Sequence, residues 1–313
     1  SFYQLRRLAV RATGSDQLAL EAARGLPGNV TTEMDLALWT VAQVIQADPE
    51  SAARFAAEDA ASLAASFQAG ALPLPAQVAL MAFMDRYGMR GLAEIDLGRP
   101  RWREEPAHVV QVVQSYVRID DRAQAPDAVF RRGARAADAA IERLAAAMPN
   151  PAQARLARLL ASRMRALAGL RETPKFTIIR LLGIVRRMML QSGEELVAAG
   201  VLAQPDDIFF LRFEELAGEN DERGMMKDEW RRIVAERRLA YERERMRRQI
   251  PRVLLSDGRA FYEGLGADSS DGALSGSPVS PGVVEGAVRV VFDPRDAQLA
   301  PGEILVCPGT DPS

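Results

Sequence analysis

The stretch Arg171-Glu172-Thr173-Pro174-Lys175 places two cations and a carboxylate within five residues. Side chains of those types can hold the oxygens of a phosphoryl group in flight, while a carboxylate beside them orients an acceptor hydroxyl or takes its proton. Lys175 is one of two lysines, with Lys227; the other 38 of the 40 basic residues are arginines, so a lysine here departs from the default choice. Pro174 is expected to break the preceding helix and open the next, with Thr173 as its N-cap. Lys175 would then stand in a first helical turn, where the helix dipole disfavours a cation by about 0.3–1 kcal/mol. Such a cost without local compensation marks a functional position. The same five residues also read as a structural Arg171–Glu172 pair with Lys175 in solvent, and the sequence leaves both readings open.

A second constellation lies in Tyr87-Gly88-Met89-Arg90-Gly91-Leu92-Ala93-Glu94-Ile95-Asp96, continuing into Arg99–Pro106. Glu94 and Asp96 share a face only if this piece is extended. As a carboxylate pair among arginines they could bind a substrate amine or position a cofactor; as a knot of ion pairs and caps they would fix an irregular loop. Met34, Met81, Met84, Met188 and Met189 could line a pocket for a large apolar ligand or simply fill core. Asn29, after Gly28, reads as a helix cap in preference to an anion site. His108 is the single histidine and opens the apolar stretch Val109–Val113 with no nucleophile motif nearby, so it reads as a structural first-turn histidine in preference to a phosphate carrier or general base. One histidine and one cysteine, Cys307, exclude a multi-histidine or cysteine-based metal site and a disulfide framework, and fit a reducing cytoplasm. Neither a GxxxxGK[ST] nor a GxGxxG element is present, so no nucleotide cradle is recognisable.

The elements that must position these groups are mostly helical. Met34, Leu38, Val41, Ala42 and Ile45 fall on one helical face, and Thr32 with Asp35 resembles a capping box. Leu156, Leu159, Leu160, Met164 and Leu167 repeat that spacing, as do Ile178, Leu181, Leu182, Val185 and Met189. Residues 51–66 and 134–147 are alanine-rich, and 226–249 form a densely charged helical stretch around Trp230, Ile233, Val234 and Tyr241. The character changes near Ile250-Pro251: residues 257–282 are rich in Gly, Ser and Asp, and strands are expected at 287–292 and 304–306. A length of 313 residues, 48% hydrophobic and 26% charged, suits about two soluble globular domains. A net charge of -2 gives no general attraction to nucleic acid or an anionic membrane, and no apolar run reaches the length of a spanning helix. The expected fold is mainly α: a helical domain over 1–250, incomplete at its N-terminal side, a linker over 251–275, and the first β-strands of a second domain over 276–313. Beginning at Ser1-Phe2 inside an amphipathic pattern and stopping just after a strand, the chain reads as a fragment.

Several motifs at ordered spacing carry a resemblance. Ser277-Pro278-Val279-Ser280-Pro281-Gly282, Pro301-Gly302-Glu303-Ile304-Leu305-Val306 and Thr310-Asp311-Pro312 look like the opening of the swivelling β/α phosphohistidine domain of the phosphoenolpyruvate-utilising enzymes. Gly25–Met34, Tyr87-Gly88-Met89-Arg90-Gly91, Glu94-Ile95-Asp96, Pro100-Arg101-Trp102, Arg171-Glu172-x-Pro174-Lys175 and Asp206–Leu211 resemble the rifamycin-binding domain of the rifampicin phosphotransferases. Together they cover nearly the whole chain. The resemblance implies a phosphotransferase in which an ATP-grasp domain, using ATP and Mg2+ outside this fragment, phosphorylates a histidine and releases AMP and phosphate. The swivelling domain would carry the phosphohistidine to a rifamycin-type antibiotic held by the helical domain. It implies Arg171 and Lys175 as holders of the phosphoryl oxygens and Glu172 as the group that orients or deprotonates the hydroxyl, with Met34, Met89 and Glu94 at the substrate. Met89 stands where many broader relatives carry a histidine. The carrier histidine and the ATP-grasp domain are expected outside this fragment, which alone is expected to be inactive. Two other readings remain: part of a phosphoenolpyruvate synthase-like enzyme, and a non-catalytic helical ligand-binding module.

Overall fold

A computed structural model describes residues 2–216, 223–247, 250–251, 253–261, 284–291, 299–300 and 302–307. The described elements are mainly α, as expected. They run α1 (Phe2–Thr13), α2 (Gln17–Glu21), α3 (Val30–Ala47), α4 (Pro49–Ala57), α5 (Ala60–Gln68), α6 (Leu74–Tyr87), α7 (Ala107–Val117), α8 (Pro126–Ala146), α9 (Pro151–Ala168), α10 (Thr173–Ala198), α11 (Phe213–Leu216) and α12 (Arg223–Arg245). Four short strands follow: β1 (Val253–Leu254), β2 (Ala260–Phe261), β3 (Val288–Val290) and β4 (Ile304–Val306). The chain divides into two compact units, Ser1–Ser192 and Gly193–Pro312.

The first unit holds two apolar clusters. α3 supplies Met34, Leu38, Val41, Ala42 and Ile45 to the larger one, joined by Phe55, Leu63, Leu80, Phe83, Tyr87, Trp102, Val110 and Val113. The smaller joins Leu5, Ala9 and Ala19 to Leu144, Ala157, Ala161 and Met164. The expected capping box does not form. Asn29 caps α3 instead, its Oδ1 accepting the Thr31 and Thr32 amides at 3.0 Å, so Thr32 already lies inside the helix. Asp35 accepts a short hydrogen bond from the Tyr116 hydroxyl, and burial together with that contact pushes the Tyr116 phenol up.

Two helices bury only part of the face that their leucine and isoleucine spacing suggests. α9 buries Ala157, Ala161 and Met164, while Leu156, Leu159 and Leu167 are exposed. α9 packs on α8 and α1 through Ala157, Ala161 and Met164, with Leu160 beside them. α10 buries Ile179, whereas Ile178, Leu181 and Val185 face outward.

In the second unit, Gln204 and Asp207 close a capping box on a short 3-10 helix, Pro205–Phe210. Arg238 of α12 pairs with Asp207 and lies 4.6 Å from the Phe210 ring centroid. The charged helix is as expected, with Val234 buried among exposed charges. Arg237 bonds both Glu215 oxygens at 2.7 Å and holds that carboxyl down at about 2. β1 and β2 form an antiparallel hairpin within 251–275, the stretch expected to be a linker. β3 and β4, both anticipated, pair in parallel with Val288 opposite Ile304. Ser277–Gly282, Phe292 and Thr310–Pro312 lie outside the described residues.

Candidate functional site

The polypeptide between α6 and α7 makes successive turns and folds back on itself. The Trp102 amide donates to the Arg90 carbonyl at 2.8 Å and the Arg103 amide to the Gly88 carbonyl at 3.0 Å, so the outgoing and returning runs lie side by side. Gly91 permits this approach, since a Cβ there would sit 2.6 Å from the Pro100 carbonyl oxygen. Ala93, at φ 54°, is the only non-glycine residue with positive φ among the described residues. That left-handed conformation costs about 1 kcal/mol and turns the chain so that Glu94 points back at Arg90.

Arg90 and Glu94 form a buried bidentate pair, 5% and 4% exposed. Nε reaches Oε2 at 3.0 Å and Nη2 reaches Oε1 at 3.1 Å, while the Gly91 amide donates to Oε2 at 3.3 Å. The fork of a guanidinium matches a carboxylate in this way and fixes its plane. Arg90 Nη1 also lies 3.7 Å from the Met34 sulfur, and its guanidinium carbon is 6.0 Å from the Trp102 ring centroid. Lys175 completes the group: its Nζ is 3.3 Å from Glu94 Oε1, with the side chain about half exposed.

The route to Lys175 differs from the expected helix break. α9 passes through a 3-10 turn, Gly169–Glu172, straight into α10, and Thr173 has helical angles (φ -60°, ψ -41°). Thr173 is therefore not an N-cap, and Lys175 does not sit at a free helix start. Pro174 is tolerated because the 3-10 turn already interrupts the regular bonding ladder there. Gly169 lets the Gly25–Gly28 loop press in: an added Cβ would lie 1.9 Å from the Pro27 carbonyl oxygen. Arg165 pins the same loop by donating to the carbonyls of Ala22, Arg24 and Gly25.

Arg171 and Glu172 pair with each other at 3.0 Å, Arg171 strongly exposed and Glu172 about one-third exposed. The partner of Lys175 is Glu94, and that of Arg171 is Glu172. Met89 is buried and packs on α10, where a Cβ added to Gly183 would come within 2.9 Å of the Met89 Cβ. Asp96 does not pair with Glu94; its Oδ1 accepts the Gly98 amide at 2.8 Å. The irregular-loop reading of Glu94 and Asp96 thus describes their geometry.

The structure adds residues the sequence did not single out as functional. Arg90 is the hub joining Met34, Glu94 and Trp102, and through Glu94 it reaches Lys175. Arg186 of α10 is buried, bonds Glu104 through Nε and Nη2, and donates to the Leu97 carbonyl at 2.6 Å. Arg101 is fully buried, and its guanidinium nitrogens have no hydrogen-bond partner among the described residues. Burial pushes its pKa down and the charge of Arg186 adds to this, while Glu104, Glu94 and Asp96 act the other way. Sequence could flag these arginines only as members of a charged loop, because burial separates them from ordinary surface arginines. Among the described residues no group of three or more His, Cys, Asp or Glu is placed to hold a metal.

Comparison with known proteins agrees with the motif resemblance. The family model of the rifampicin phosphotransferase fourth domain matches residues 1–172. The chain is 38% identical over 310 residues to the rifampicin phosphotransferase of Streptomyces sviceus, covering 96% of this chain and 34% of that protein. It is 38% identical over 307 residues to that of a Streptomyces species, and 33% over 312 residues to that of Bacillus cereus, with the same coverages. The chain thus spans about a third of the length of the curated relatives it matches. With a family model over more than half its length and relatives of that identity across nearly all of it, the chain belongs to the rifampicin phosphotransferase family.

Proposed function

We propose that this chain is the acceptor-binding portion of an ATP-dependent phosphotransferase that moves a phosphoryl group from a phosphohistidine to a hydroxyl of a rifamycin-type antibiotic, inactivating the drug. The carrying observation is the half-exposed Lys175 ammonium standing 3.3 Å from a buried carboxylate that Arg90 already neutralises. Arg90 and Glu94 cancel, so the positive charge of Lys175 remains available to an incoming oxyanion. Arg171 and Lys175 steady the phosphoryl oxygens, and Glu172 receives the proton of the acceptor hydroxyl. The histidine–phosphorus bond breaks as the acceptor oxygen bonds to phosphorus, with charge spread over the phosphoryl oxygens in between.

A large apolar acceptor suits the surface beyond Lys175, where Ile178, Leu181, Val185 and Met188 of α10 are exposed. Met34 and Met89 are assigned to the inner wall of the acceptor site. Both are covered in this structure, and their unbranched side chains can shift to admit a ligand. In this reading residues 1–250 are the receiving domain, 251–275 a linker, and 276–313 the opening of a swivelling domain. ATP with Mg2+ supplies the phosphoryl group elsewhere in the full-length protein, in the cytoplasm. No helix among the described residues is long and apolar enough to cross a membrane.

Incubating the full-length protein with ATP and rifampicin, with mass spectrometry of the drug, tests this. Phosphorylated drug with formation of AMP is expected, and Lys175→Ala should abolish transfer while leaving histidine phosphorylation intact. Unmodified drug beside a phosphorylated histidine would overturn the acceptor assignment and make pyruvate the next acceptor to try.

A further inference from the structure

We propose that Arg90 and Glu94 are positioning residues for the phosphoryl transfer, fixing the Lys175 ammonium where the oxyanion arrives; this rests on the function proposed above. Lysine is a poor anchor by itself. Its four-carbon stem is flexible and its ammonium is a point charge without directional geometry. In a site that must hold a phosphoryl group in one orientation, something has to fix Nζ.

Glu94 meets that need. Its Oε2 is occupied by Arg90 Nε at 3.0 Å and the Gly91 amide at 3.3 Å, and its Oε1 by Arg90 Nη2 at 3.1 Å and Lys175 Nζ at 3.3 Å. A carboxylate held by a bidentate fork and a main-chain amide presents its remaining acceptor direction along a fixed line. With both oxygens committed inside the protein, the role of Glu94 moves from touching substrate to holding the lysine. Arg90 acts one step further back, and its own position is fixed by the Trp102 amide on its carbonyl and by the Trp102 ring beside its guanidinium.

The charge balance gives Arg90 a second effect. Glu94 and Lys175 alone would form a neutral pair, and the carboxylate would repel an approaching phosphoryl group. With Arg90 present the three side chains sum to one positive charge, carried at the only one of the three that is substantially exposed.

The test uses the full-length protein with Glu94→Gln and Arg90→Lys, each checked for a wild-type far-UV circular dichroism spectrum and melting profile. Glu94→Gln preserves shape and removes the charge; Arg90→Lys preserves charge and removes the fork. Both should lower kcat for drug phosphorylation by about tenfold to a hundredfold, the scale of a misplaced catalytic group. KM for rifampicin should stay near wild type, and the rate of histidine phosphorylation from ATP should be unchanged. An independent readout is amine labelling followed by peptide mapping, with Lys227 as internal reference, because the chain has two lysines. Lys175, no longer held on Glu94, should label severalfold faster relative to Lys227 in both variants.

Unchanged Lys175 labelling in folded variants overturns the inference, whatever the activity. Faster labelling with unchanged kcat overturns it as well, because the lysine would be held for stability alone. If wild-type protein transfers nothing to rifampicin, the proposed function fails by that result, and the labelling ratio separately decides whether Arg90 and Glu94 hold Lys175. Should Arg90→Lys misfold, Glu94→Gln carries both readouts by itself.

Discussion

α3 and α10 carry the same apolar period and use it in opposite ways. In α3 the stripe Met34, Leu38, Val41, Ala42 and Ile45 is buried, each residue 5% exposed or less. In α10 the stripe Ile178, Leu181 and Val185 is turned outward, and the helix is anchored by Phe176 against the Tyr87 ring, by buried Ile179, and by two ionic contacts. Those contacts are Lys175 to Glu94 and Arg186 to Glu104 and the Leu97 carbonyl. Periodicity reports that a face is apolar; it does not report which neighbour covers it. A helix held by apolar packing is fixed along its whole length. One held by point contacts with charged side chains keeps a large apolar face free while its polar groups are fixed one by one.

The comparison breaks most visibly if α3 proves tolerant. Leu38→Ala removes a side chain from the larger core cluster and should cost about 2–5 kcal/mol, read as lost hydrogen-exchange protection of α3 peptides. A loss below about 1 kcal/mol would mean that α3 is not the apolar anchor of its unit. Arg186→Met probes the other kind of anchor. It removes the Glu104 and Leu97 partners but leaves Glu104, 31% exposed, able to rehydrate, so the cost is smaller, about 1–3 kcal/mol, and should be confined to α10 and the 88–106 segment. Loss of protection spread evenly through the first unit would erase the distinction between the two helices.

How much of this was legible follows from what each signal measures. The helix over α3 and its buried face were readable because burial and period coincide there. The charged helix α12 and the strands near 288–290 and 304–306 were readable from composition and turn residues. The β1–β2 hairpin was not, because two-residue strands are too short to show a period. For the candidate site, Lys175 was singled out by an argument whose premise fails: the helix does not start at Thr173, so no dipole cost marks the lysine. Its rarity among arginines was the better clue. The pairing of Lys175 with Glu94 was invisible, since nothing local in a sequence ties residues brought together by a helix crossing a loop. Arg90 was hidden for the same reason, and its difference from a surface arginine is burial alone.

The smallest expected effect bears most directly on why the α10 stripe is free. Leu181 is 58% exposed, so Leu181→Gln removes little buried area and should change α10 protection by no more than about 0.5 kcal/mol. If the stripe receives the apolar body of the acceptor, the same substitution should raise KM for rifampicin in the full-length protein while kcat at saturation is kept, the pattern of lost uniform binding. Lys175, three positions before Ile178, would then hold the reacting end while the stripe holds the drug. A large loss of protection on Leu181→Gln would mean that another part of the full-length protein covers this face, and α10 would join α3 as a helix anchored by apolar packing. An unchanged KM with unchanged protection would remove the stripe from both roles and confine the acceptor to the neighbourhood of Met34, Met89 and Lys175.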